Sequence, residues 1–110
     1  MNWEVVYLPE AKKDLKDLDG SSLLLVRKAI NKVSHNPFPD YEGGYGHPLA
    51  NQRGRNLSGF LKIKLRASGI RIVYKLMQQD GKMLIIIIGA RADDEVYDVA
   101  AKRIQKHSIK

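Results

Sequence analysis

Leu61-Lys62-Ile63-Lys64-Leu65-Arg66-Ala67-Ser68-Gly69-Ile70-Arg71-Ile72-Val73-Tyr74 is the stretch that decides how this chain folds. Leu61, Ile63 and Leu65 alternate with Lys62, Lys64 and Arg66. That period of two belongs to a strand with one buried and one exposed face. Ser68-Gly69 supplies a turn, and Ile70 to Leu76 reads as the return strand. A two-residue turn predicts that Arg66 opposes Arg71, Lys64 opposes Val73 and Lys62 opposes Lys75. On the other face, Leu65 meets Ile72, Ile63 meets Tyr74 and Leu61 meets Leu76. The cations Lys62, Lys64, Arg66, Arg71 and Lys75 then share one face. Like charges directly opposed in a sheet repel, and an anion lying between them removes that cost. The plainer alternative is a solvated face whose lysines discourage edge-to-edge pairing.

Working outward, Asp80-Gly81 makes the next turn, and Met83 to Ile88 is a continuous apolar run suited to a strand covered on both faces. Gly89 ends it. Asp93, Asp94 and Glu95 open a final helix, where negative charge complements the helix dipole, with Tyr97, Ala100, Ala101 and Ile104 as its apolar stripe. Upstream, Trp3 to Leu8 reads as a first strand. Pro9 starts a helix bearing Ala11, Leu15 and Leu18, which Asp19-Gly20 ends. Ser21 or Ser22 caps a second helix with Leu23, Val26, Ile30 and Val33 at helical spacing, and Asn36-Pro37 stops it. The short turn between the two predicts an antiparallel helical hairpin. Asp40 to Asn56 reads as one long loop, its glycines at 43, 44 and 46 giving flexibility. The expectation is one domain over 1–110, an α+β fold with a small, mostly antiparallel sheet on an N-terminal helical hairpin and a C-terminal helix.

The chain carries a formal charge of +7. Arg53, Arg55, Lys62, Lys64, Arg66, Arg71 and Lys75 fall in one segment that holds no acidic residue, and basic and acidic residues balance elsewhere. Charge concentrated in this way points to a polyanionic partner, with nucleic acid foremost. A membrane surface fits less well, since the cations do not lie on an amphipathic helix. The apolar run is too short to span a bilayer, and the opening residues lack the pattern of a signal peptide. With no cysteine, disulfide scaffolds and thiolate metal sites are excluded, and a cytoplasmic location is expected.

The chemistry on offer is narrow. His35, His47 and His107 are scattered without ligand spacing and read as ordinary loop or terminal residues, so no metal or other cofactor is expected. No nucleophile motif or phosphate-binding glycine loop is present. RNA, however, brings its own nucleophile, the 2′-hydroxyl. Cleaving it requires a base, a donor for the leaving 5′-oxygen and cations around the transition state. Arginine meets two phosphate oxygens through its planar fork, and a tyrosine among cations has its phenolate stabilised.

Leu61 to Tyr74 closely resembles the RelE toxins of type II toxin–antitoxin pairs. So does Gly89-Ala90-Arg91-Ala92-Asp93-Asp94-Glu95-Val96-Tyr97, followed by Ala101-Lys102-Arg103-Ile104. The likeness is dense over the second half of the chain; the first half agrees only in its pattern of strand, helical hairpin and loop. The resemblance implies a β-α-α-β-β-β-α fold and an endoribonuclease that cuts messenger RNA in the ribosomal A site, inhibiting translation. It places Lys62 and Lys64 on the family's catalytic lysines and Arg71 on its transition-state arginine. Arg91 falls on a second phosphate-contacting arginine, and Tyr97 on the tyrosine linked to proton transfer at the 2′-hydroxyl. Arg66 would help bind RNA, an arginine usual in the preceding loop is matched by Arg53 or Arg55, and Arg53, Arg55 and Lys75 of the basic segment join Arg66 as expected RNA contacts. Ala90 departs from the pattern, standing where a basic residue often precedes the arginine, and the loop from Asn51 to Gly59 is longer. A cognate antitoxin protein, the ribosome and messenger RNA are the implied partners. The competing reading is a ParE-like inhibitor of DNA gyrase that performs no chemistry; a third is a nucleic-acid binder without activity.

Overall fold

We describe residues 3–52, 54–90 and 92–109 in a computed structural model, without the side chains of Gln52 and Asp93. The elements run β1 (Glu4–Tyr7), α1 (Pro9–Lys16), α2 (Gly20–Ser34), β2 (His47–Pro48), β3 (Asn51–Gln52), β4 (Arg55–Asn56), β5 (Leu61–Leu65), β6 (Ile70–Met77), β7 (Lys82–Gly89) and α3 (Asp93–Lys106). The main sheet has the order β1-β7-β6-β5-β2. Only β1 and β7 run parallel; the other pairs are antiparallel. This is the expected α+β architecture, with the long loop resolved into short strands. β2 adds an edge to the sheet and β3–β4 forms a separate small hairpin. Pro48 suits an edge strand, where its missing N–H leaves no ladder bond unmade.

The β5–β6 register differs from the expected one. Lys64 opposes Arg71, Lys62 opposes Val73 and Leu65 opposes Ile70. The connection is therefore the four residues from Arg66 to Gly69, not two. Gly69 takes φ +74 and its N–H reaches the Leu65 carbonyl at 2.8 Å. The slip is two residues, so every side chain keeps its face. What changes is which cations meet: Lys64 with Arg71, with Arg66 carried into the turn and Lys75 moved away from Lys62.

The face bearing Leu61, Ile63, Ile70, Ile72 and Tyr74 is buried beneath the helical hairpin. Tyr74 is wholly buried there and its hydroxyl donates to the Pro37 carbonyl at 2.8 Å. Burial pushes that phenol above its ordinary range. α3 covers the opposite face around Val73 and Ile87, where Val96 and Tyr97 are buried. β7 is thus apolar on both sides, as its composition predicted.

Helix ends follow local chemistry. α1 stops at Lys16, earlier than expected, and Asp19 rather than Ser21 or Ser22 caps α2. The Asp19 carboxylate accepts the Ser22 N–H at 2.8 Å, which lowers its pKa.

β1 pairs with β7 only as far as Ile85, so the far end of β7 has an open edge. Asp14 and Arg103 close it. The Asp14 carboxylate accepts the Ile88 N–H at 3.1 Å, and Arg103 Nη1 donates to the Ile86 carbonyl at 3.0 Å. The two side chains also pair with each other at 2.6 Å. Asp14 and Arg103 thereby satisfy sheet groups that β1 does not reach.

Candidate functional site

β5 presents Lys62 and Lys64 on the face opposite the helical hairpin, and the turn presents Arg66. With His47 these line an open hollow of about 300 Å³. None of Lys62, Lys64 and Arg66 has a carboxylate partner among the described residues. Lys64 and Arg71 are strand partners. Like charges directly opposed in a sheet repel, less so where water screens them. A phosphate between them turns that repulsion into attraction.

Tyr97 reaches the site from α3. It is 4% exposed, and its hydroxyl accepts a hydrogen bond from Lys62 Nζ at 3.0 Å. Burial alone would suit a core tyrosine, but this one holds its polar end against a site lysine. Arg71 lies beside the turn, with Nη1 donating to the Gly69 carbonyl at 2.7 Å. Arg91 and Arg53 lie outside the described residues.

Two of the expected RNA contacts are drawn elsewhere. Arg55 Nε sits 3.4 Å from the Asp98 carboxylate, which also pairs with Lys102 at 3.1 Å. These cations hold the Asp98 carboxyl below its ordinary value, Lys102 having the larger effect. Lys75 Nζ lies 4.9 Å from the centre of the Phe60 ring. It borders a second hollow with Tyr41, Glu42 and Gly59, apart from the one lined by Lys62 and Lys64.

His47 is the residue that sequence reasoning missed. β2 places it directly across from Lys62, on the same face. Its Nδ1 is 2.8 Å from Asp40 Oδ2. Backbone bonds from Asp40 N–H to the Gly46 carbonyl, at 2.7 Å, and from Leu49 N–H to the Phe60 carbonyl, at 2.9 Å, hold this corner. Glycines 44 and 46 serve close approach here, not flexibility. A Cβ on Gly44 would collide with the Phe38 backbone, and one on Gly46 with the Tyr74 hydroxyl and Leu61. The only hint in the sequence was a histidine between a glycine and a proline in a loop too long for connection alone.

No protein-family model matches the chain. A putative RelE-like toxin protein of Escherichia coli is 30% identical over 105 residues, which cover 96% of this chain and 100% of that one. The mRNA interferase toxin RelE of Escherichia coli strain K12 is 42% identical over 50 residues, 46% of this chain and 53% of that relative. Among solved structures, the isolated E. coli RelE toxin superposes with a TM-score of 0.67 at 25% identity, covering 93% of this chain and 98% of that one. A mutant of the same toxin in its free state gives a TM-score of 0.71 at 27% identity, with coverage of 94% and 99%. The toxin in the intact E. coli RelBE toxin–antitoxin complex shares the fold, with a TM-score of 0.64 at 23% identity over 82% of this chain and 98% of that one. Full-length similarity in sequence and the shared fold agree: the chain belongs to the RelE-like toxin family.

Proposed function

We propose that this RelE-like toxin is a metal-independent endoribonuclease that cuts messenger RNA in the ribosomal A site. The contact between Tyr97 and Lys62 carries the reading, because it joins a helix and a strand at a proton-transfer pair and turns the hydroxyl of a core tyrosine to a site lysine. The substrate's 2′-oxygen attacks the adjacent phosphorus, and the bond to the 5′-oxygen breaks. The products are a 2′,3′-cyclic phosphate and a 5′-hydroxyl. Tyr97, held by Lys62, serves proton transfer at the 2′-hydroxyl. Lys64 and Arg71 stabilise the charge that builds on the phosphate oxygens, where fixed cations act most strongly, and Arg91 adds a further phosphate contact. Arg66 binds the RNA backbone; Arg53, Arg55 and Lys75 are outer contacts.

The ribosome would supply the ordered message, and a cognate antitoxin would cover the cationic face with acidic or apolar segments. The E. coli RelE toxin has been solved in complex with its antitoxin and with an antitoxin peptide, which supports the second partner. Among the described residues no helix is long and apolar enough to cross a membrane. The test adds purified protein to stalled ribosomes carrying a short message and maps any cut by primer extension. A cut within the A-site codon that needs ribosomes is the expected result. Intact message from folded protein would remove the nuclease reading, and blocked supercoiling in a parallel gyrase assay would put the ParE-like alternative in its place.

A further inference from the structure

We infer that His47, oriented by Asp40, is a catalytic residue that donates the proton taken up by the leaving 5′-oxygen. The inference rests on the nuclease reading and supplies a donor which that reading leaves unassigned. Three observations carry it. His47 lines the same hollow as Lys62, Lys64 and Arg66. Its Nδ1 is committed to Asp40, and Nε2 has no hydrogen-bond partner among the described residues. It flanks Lys62 from β2, whereas Tyr97 meets Lys62 from α3. In-line displacement places the entering 2′-oxygen and the departing 5′-oxygen on opposite sides of phosphorus, so two proton-transfer groups separated by a cation match its demand.

The proton balance closes without a co-reactant. The 2′-hydroxyl proton passes to Tyr97 acting as its phenolate, and from there to water, as the bond from phosphorus to the 2′-oxygen forms. The bond from phosphorus to the 5′-oxygen breaks, and that oxygen takes the Nε2 proton of the His47 imidazolium. Neutral imidazole remains, with Nδ1–H still donated to Asp40, and regains its proton from water. Asp40 lies against the ring at Nδ1, Lys62, Lys64 and Arg66 share the hollow with it, and Glu42 shares the short turn that carries Asp40. A carboxylate behind the ring fixes its orientation and its tautomer.

The experiment compares two ribosome-bound messages under single turnover. One has an ordinary scissile linkage; in the other, sulfur replaces the bridging 5′-oxygen and leaves without protonation. His47→Gln should cut the ordinary message ~10²–10³-fold more slowly and the sulfur-bridged one less than ~10-fold more slowly than the unaltered chain. It should also lose the fall in rate at alkaline pH that deprotonation of an acid produces. Asp40→Asn should show a smaller loss with the same sulfur rescue. A folded His47→Gln within about threefold of the unaltered chain on the ordinary message overturns the inference. So does an equal loss on both messages, which would make His47 a structural or phosphate-binding residue. Failure of the unaltered chain to cut either message is a separate outcome, which removes the nuclease reading and this inference with it.

Discussion

Along the seam between α1 and α3, Arg103, Lys106 and His107 stand beside carboxylates. Arg103 pairs with Asp14 at 2.6 Å, and Lys106 and His107 reach Glu10 at 3.1 and 3.0 Å. At the β5–β6 hairpin, Lys62, Lys64 and Arg66 have no such company among the described residues: they face the hollow with His47 and without a carboxylate of their own. The seam spends its charge on holding the last helix to the sheet. Lys62, Lys64 and Arg66 leave their charge open to the proposed RNA. A charge total cannot separate these uses; the presence or absence of a nearby carboxylate can.

Mutation should split the regions in opposite directions, and the hairpin gives the largest effect. Arg71→Ala should slow cleavage on ribosomes by ~10²–10³-fold, the scale for removing one transition-state donor, while the circular dichroism spectrum and melting temperature stay close to the original. A folded variant that cuts at the normal rate would break the comparison at its catalytic end. On the seam, Asp14→Ala should cost ~2–3 kcal/mol in urea unfolding, because it strands a half-buried Arg103 and unmakes the bond to Ile88 N–H. Its cleavage rate per folded molecule should change little; a large loss of rate with stability unchanged would merge the two regions.

Tyr97→Phe sharpens the boundary, since the ring is core and the hydroxyl is site. Packing should persist while single-turnover cleavage slows by ~10-fold or more, and equal rates would assign the tyrosine to the core alone. The smallest effect is acid sensitivity at the seam. Hydrogen bonding from His107, with help from the backbone and Lys106, holds the Glu10 carboxyl at about 2, against an ordinary 4.5. A lowered folded pKa contributes stability in full above the ordinary value, and that stability is lost as pH falls through the folded one. The melting temperatures of the original chain and Glu10→Gln should therefore differ near neutrality and converge as pH falls from 4.5 toward about 2. A constant gap across that range would show that Glu10 does not titrate against its partners.

Much of this is legible in the sequence. Alternation from Leu61 to Arg66 named the strand and its two faces, because burial of one face imposes period two on the residues themselves. Helical spacing and the prolines bounded the hairpin helices to within a few residues. Lys62, Lys64, Arg71 and Tyr97 could be singled out because their neighbours in sequence carry the family pattern. Their register could not. Whether Ser68-Gly69 or the four residues from Arg66 to Gly69 made the turn depended on backbone geometry, and either choice keeps every side chain on its face. Capping by Asp19 in place of a serine turned on a similar one-turn choice.

What the sequence by itself determined is therefore the set of elements, the sign and place of the charge, and the face on which the cations stand. These follow from local periodicity and composition. Only the tertiary structure decided which cations are neutralised and which are left open, and it alone brought His47 from a loop to the side of Lys62. Those contacts join residues far apart along the chain, through the docking of α3 and the addition of β2 to the sheet edge. Such docking depends on close approaches, Gly46 beneath the Tyr74 hydroxyl among them, whose steric limits appear only when the distant surfaces meet.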